Sequence, residues 1–93
     1  MAHVMIEREF IVKNRLGLHA RPAALFVKTT TRFHSNVKVE KEGQEVDGKS
    51  IMGLMMLAAE EGSKLKIRAT GADEGEVLSA LERLFQERFD EKD

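Results

Sequence analysis

Cysteine, tyrosine and tryptophan are absent from this sequence, and proline occurs once. Without cysteine there is no disulfide staple, no thiolate zinc site, no iron–sulfur ligation and no thiol nucleophile. Without tyrosine or tryptophan, any surface that stacks nucleic-acid bases would rest on phenylalanine alone. Charge of one sign is lacking too: 15 lysines and arginines nearly cancel 16 aspartates and glutamates, for a formal net charge of -1. No global field draws the chain to nucleic acid or to an anionic membrane, so neither is expected as a partner. Nowhere do about 18 uncharged apolar residues follow one another, and Met1 to Arg8 holds no apolar run of signal-peptide length. The expectation is a cytoplasmic protein without membrane insertion. His3, His19 and His34 are too widely spaced for a metal site, and neither a metal nor a cofactor is expected.

What remains is a globular balance, with 42% hydrophobic and 33% charged residues in 93. That length supports one core, and a single domain over residues 1–93 with no separate catalytic unit is expected. Met5 to Lys13 reads as a strand with Ile6, Phe10 and Val12 on one face, Arg8 and Ile11 being the misfits. Ala20 to Thr31 reads as an amphipathic helix whose core stripe is Ala20, Ala23, Ala24, Val27 and Thr31. Val37 to Val46 reads as a hairpin turning at Glu42-Gly43, and Ser50 to Glu61 as a short apolar helix closed by Gly62. Lys64 to Thr70 alternates cleanly, with Leu65, Ile67 and Ala69 facing inward. Asp73 is the expected N-cap of a last helix, with Glu76 three residues on and an apolar stripe of Val77, Leu78, Leu81, Leu84, Phe85 and Phe89. Asp90 to Asp93 is expected to be a solvated helix end, His3 to sit in a frayed terminus and His34 in a loop. The order β-α-β-β-α-β-α fits a small α+β domain with helices on one face of a mostly antiparallel sheet. Pattern alone does not separate a ferredoxin-like strand order from others.

The chemistry concentrates in Gly17-Leu18-His19-Ala20-Arg21-Pro22-Ala23-Ala24. If the helix begins at Ala20, His19 holds the cap position, and the unpartnered first-turn amides of Ala20 and Arg21 form an anion site. Pro22 in the first turn lacks only an N–H that would be unpaired anyway, and its fixed φ suits a helix start. Arg21 brings a forked cation that grips phosphate oxygens in two places. A neutral imidazole nitrogen is a nucleophile, and a phosphoryl group on it would sit over the helix N-terminus.

At these residues the chain resembles the HPr family, the histidine-containing phosphocarriers of the bacterial phosphoenolpyruvate-dependent phosphotransferase system. Gly48-Lys49-Ser50-Ile51-Met52-Gly53-Leu54 is similar to the family's second signature, and Gly71-Ala72-Asp73-Glu74 to its entry into the last helix. The resemblance implies an open-faced β-sandwich: a four-stranded antiparallel sheet in order 1-4-2-3 with three helices on one face. It implies that His19 takes a phosphoryl group on Nδ1 from phosphorylated enzyme I and passes it to enzyme IIA domains, with Arg21 steadying the group. Such a chain is a carrier and not an enzyme. Leu16 stands where the family often has a small polar residue, and it offers no side-chain hydrogen bond there.

Ser50 has the ordinary reading of a helix N-cap, and the resemblance adds regulatory phosphorylation by an HPr kinase/phosphorylase. On a helical wheel Leu54, Leu57 and Ala58 form one stripe, while Ile51, Met52, Met55, Met56 and Ala59 form a second. An adaptable methionine patch suits a monomeric carrier that docks several partners, and Leu18, Ile51, Met52 and Met55 are the expected interface. Two other readings are a regulatory branch, nitrogen-related or without permeases, and a non-phosphorylated ferredoxin-like binding module.

Overall fold

The computed structural model describes residues 5–91. Strand β1 (Ile6–Ile11) leads to helix α1 (Ala20–Thr30), the hairpin β2 (Asn36–Lys41) and β3 (Gln44–Asp47), helix α2 (Ile51–Met56), strand β4 (Lys64–Thr70) and helix α3 (Glu74–Gln86). A single 3₁₀ turn, Arg88–Asp90, follows. The strands form one antiparallel sheet in order β1-β4-β2-β3, as the resemblance implied. Glu42 and Gly43 both take positive φ, 50° and 85°, which gives the two-residue hairpin turn that matches strand twist.

Alternation along the strands builds the two faces. Phe10, Val37, Val39, Leu65, Ile67 and Ala69 are buried under the helices, and register places Ile67 between Arg8 and Val39. Arg8 belongs to this inner face by parity, yet its guanidinium extends outward to Glu82 of α3, 3.8 Å away. Ile11, the other misfit, is 38% exposed. On the open face Arg68 of β4 donates to Glu7 of β1 at 2.7 Å and to Glu40 of β2 and Glu45 of β3 at 2.5 Å, linking all four strands. The Arg68 guanidinium holds the Glu40 carboxyl below the usual carboxylate range.

Burial rotates α1 away from the expected all-small stripe. Its buried residues are Pro22, Ala23, Phe26 and Thr30, while Ala20 and Ala24 are exposed. Phe26 explains the rotation, because an aromatic ring gains far more from burial than an alanine methyl. Its ring meets Phe85 of α3 at 6.2 Å, and Phe85 also contacts Phe10 and Phe89, each at 4.9 Å.

Helix α2 is shorter than its periodicity indicated. It ends at Met56, because Leu57 folds back into the core and Ala58 turns through φ 49°, so Gly62 does not close it. Ala59, expected on the outer stripe, is 4% exposed, and Ala58, expected on the inner one, is exposed. The turn brings the Ala59 carbonyl to the Leu18 amide at 2.9 Å, which ties the end of α2 to the entry of α1.

Asp73 precedes α3 but does not cap it with its side chain. Its carboxylate instead accepts from the Ser35 hydroxyl at 2.5 Å and from the backbone N–H groups of His34 and Ser35, each at 2.9 Å. Glu74, not Glu76, supplies the reciprocal bond, accepting from the Gly71 amide at 3.0 Å. The Ser35 hydroxyl first, then the His34 amide, holds the Asp73 carboxyl down to about 2. A depressed folded-state pKa stabilises fully above the unfolded value near 4, and that stabilisation is lost as pH falls through about 2. Asp73→Asn is therefore expected to lower the urea midpoint at neutral pH and to flatten its decline between about pH 4 and 2. An unchanged acid limb in the variant would mean that Asp73 does not carry this linkage.

Candidate functional site

Gly17 sets the geometry of the site. Its φ is +69°, and a Cβ there would collide with the Ala59 carbonyl oxygen, so both the left-handed backbone and the close approach require glycine. The next residue, Leu18, is buried at 4% exposure and anchors the loop from below. Leu18 is thus largely a core residue, because its apolar side chain is the one this loop can bury, and it also lines the depression beside His19.

His19 then occupies the N-cap of α1 in extended backbone, φ -74° and ψ -171°, and makes no side-chain cap bond. No acidic residue lies in the first turn, so the positive end of α1 is uncompensated by a side chain of its own helix. Ala20, Arg21 and Pro22 form that first turn, as the sequence indicated. The His19 side chain is 37% exposed and Arg21 50% exposed, so both reach solvent.

The third component comes from the far end of the chain. His19 Nε2 lies 2.8 Å from Glu91 Oε2, Arg21 donates to the Phe89 carbonyl at 3.0 Å, and its guanidinium stands 3.6 Å from Glu91. Glu91, expected to be solvated tail, is only 16% exposed. Phe89, expected on the α3 stripe, lies beyond the helix, in a turn where Arg88, Phe89 and Asp90 all take left-handed φ, 54°, 55° and 59°. Phe89 is nevertheless 0% exposed, and its burial against Phe85 folds the tail back over the site. Asn14, fully buried, holds this arrangement from beneath. Its Nδ2 donates to the Gly17 carbonyl at 2.5 Å and to Glu91 Oε1 at 3.0 Å, while its Oδ1 finds no partner among the described residues.

Beside His19 lies a shallow depression of about 250 Å³, lined among others by Leu16, Met55, Ala58 and Glu60. Ile51, Met52 and Met55 are 41%, 73% and 45% exposed, which makes the outer stripe of α2 a surface feature. Leu16 and Met56, 70% and 67% exposed, extend the apolar surface beyond the residues expected at the interface. Ser50 is the N-cap of α2, and its Oγ accepts from the Gly53 amide at 3.0 Å. His34 is exposed and contributes only its backbone amide to Asp73, and His3 lies outside the described residues. Among the described residues no helix is long and apolar enough to cross a membrane, and no cluster could hold a metal ion.

The arrangement is a solvent-accessible histidine at a helix start, an arginine two residues on, and an apolar rim. The family model described as the PTS HPr component phosphorylation site matches residues 6–87. Phosphocarrier protein HPr of Xylella fastidiosa (strain 9a5c) is 48% identical over 87 residues, 94% of this chain and 98% of that protein. HPr of Treponema pallidum (strain Nichols) is 47% identical over 88 residues, 95% of this chain and 100% of that protein. The crystal structure of HPr-C-His from Thermoanaerobacter tengcongensis superposes with a TM-score of 0.90 at 46% identity, covering 94% of this chain and 98% of that one. The chain belongs to the HPr family of phosphotransferase-system phosphocarriers.

Proposed function

We propose that this chain is a single-domain, cytoplasmic, monomeric carrier that accepts a phosphoryl group on Nδ1 of His19 from phosphorylated enzyme I and hands it to enzyme IIA domains. It catalyses nothing alone; its partners supply the other half of each transfer. The observation that carries the reading is His19 itself, set at the open N-terminus of α1 with Arg21 in the first turn, with Nε2 engaged by Glu91 and, among the described residues, no hydrogen bond to Nδ1. The helix end and the Arg21 fork stabilise the incoming anion. Incubation with phosphoenolpyruvate and enzyme I is expected to give one acid-labile, base-stable phosphate per chain. No uptake from a competent enzyme I would refute the reading.

Docking is assigned to Ile51, Met52 and Met55 beside that histidine, and regulation to phosphorylation of Ser50 by an HPr kinase/phosphorylase. A phosphate on Ser50 would add up to about two negative charges at the edge of the apolar rim. Met52→Glu with Met55→Glu removes apolar contact of about 1.5–3 kcal/mol per side chain, so affinity for enzyme I is expected to fall at least about tenfold. Both side chains are already wet, and the melting temperature is expected to stay close to wild type. Calorimetric titration and thermal melting read the two effects, and phosphorylation of Ser50 is expected to weaken the same titration. Unchanged affinity in the double variant, or loss of folding, would remove these residues from the interface.

A further inference from the structure

The carboxylate of Glu91 sits on the ring nitrogen that the proposed phosphoryl transfer does not use. Its Oε2 is 2.8 Å from Nε2 of His19, its Oε1 accepts from the buried Asn14 amide at 3.0 Å, and among the described residues no hydrogen bond engages Nδ1. Three features fix that carboxylate in place. The side chain is 16% exposed, Phe89 two residues earlier is fully buried, and the left-handed turn between them aims the chain back at α1. A carboxylate of this kind, anchored on one oxygen and facing an imidazole with the other, accepts N–H and selects the tautomer.

We propose that Glu91 is a positioning residue for phosphoryl transfer: it holds the proton of His19 on Nε2, which leaves the Nδ1 lone pair as nucleophile. The proposal rests on the carrier reading above. With the proton on Nε2, the Nδ1 lone pair forms the new N–P bond while the bond from phosphorus to the donor atom breaks and its electron pair leaves with the donor. No proton has to move at His19. The imidazole ring gains positive charge as the bond forms, and the Glu91 carboxylate at the opposite nitrogen stabilises that charge, as a carboxylate does behind a histidine in acyl-transfer enzymes. On the return step the same contact keeps the proton in place while Nδ1 releases phosphorus. Arg21, 3.6 Å from Glu91, keeps the carboxylate from being the only charge at the site when the phosphoryl group arrives.

The test uses the full chain with Glu91→Ala and Glu91→Gln. Nitrogen-15 correlation spectra of the unphosphorylated His19 ring read the tautomer directly. The wild type is expected to hold the Nε2–H form, Glu91→Gln to keep it through the amide oxygen, and Glu91→Ala to relax to the mixture of an unconstrained histidine. The rate of phosphoryl acceptance from phosphorylated enzyme I is expected to fall about tenfold in Glu91→Ala, the size of one charge-assisted hydrogen bond, with KM for enzyme I little changed. Glu91→Gln is expected to fall between the two, since it restores the tautomer but not the charge. An unchanged tautomer or an unchanged rate in Glu91→Ala overturns the proposal. The tautomer spectrum needs no phosphate, so a chain that accepts none would sink the carrier reading while the spectrum still judged Glu91 separately.

Discussion

His19→Ala is expected to abolish phosphoryl uptake from phosphoenolpyruvate and enzyme I while leaving the fold intact. The loss should be complete because the nucleophile is removed: the Arg21 guanidinium offers only donors, and a phosphoryl group on the Glu91 carboxylate would be a base-labile acyl phosphate. Stability should change little, within about 1 kcal/mol, because the side chain makes no cap bond, is 37% exposed, and has one partly buried hydrogen-bond partner. His34→Ala is the matched control. That histidine contributes only its backbone amide to Asp73, and its replacement should leave uptake at the wild-type level. Scintillation counting of acid-labile, base-stable phosphate reads both, and appreciable uptake by His19→Ala would place the chemistry elsewhere.

Phe89→Ala is expected to have the largest effect on stability, about 3–5 kcal/mol, as for other fully buried phenylalanines. Typical domains are stable by only about 5–15 kcal/mol in all, so the urea midpoint should drop sharply. The backbone raises the stake. Arg88, Phe89 and Asp90 are all left-handed without being glycine, at roughly 1–2 kcal/mol each, and the Phe89 ring packed on Phe85 offsets that cost. Once the ring is gone, the turn has little to hold it, and Glu91 and the Phe89 carbonyl should leave His19 and Arg21. The variant therefore couples a stability loss to altered His19 ring resonances. A midpoint shift worth less than about 1 kcal/mol would show that the tail is not anchored through Phe89.

The same turn marks the limit of what could be read from the residues alone. Strand β4 was plain because Lys64 to Thr70 alternates without a break, and the hairpin was plain because Glu42-Gly43 carries the glycine its turn needs. The histidine, the arginine and the proline at the start of α1 were legible because each is a residue type with one good reason to be there. Strand order was not, since several orders suit the same alternation, and the motifs had to decide it. Periodicity overextends helix α2 because Ala58, which reverses the chain, is a good helix former and gives no local sign of its left-handed φ. For the same reason the tail read as a charged helix end, though Phe89 and Glu91 are held by groups more than sixty residues away in sequence. Asp73 precedes its helix as the sequence indicates, yet its partners are not legible there, because its amide and hydroxyl donors at His34 and Ser35 come from a different loop. Tertiary contacts of this kind leave no periodic trace.

The central claim is that His19 is the phosphoryl acceptor and that Nδ1 is its reactive atom. Phosphorus-31 and nitrogen-15 spectra of the chain after incubation with phosphoenolpyruvate and enzyme I test it most directly. The account predicts a single phosphohistidine signal coupled to Nδ1 of His19, with the Nε2 proton retained. A phosphoryl group on Nε2, on another residue, or on none would contradict it.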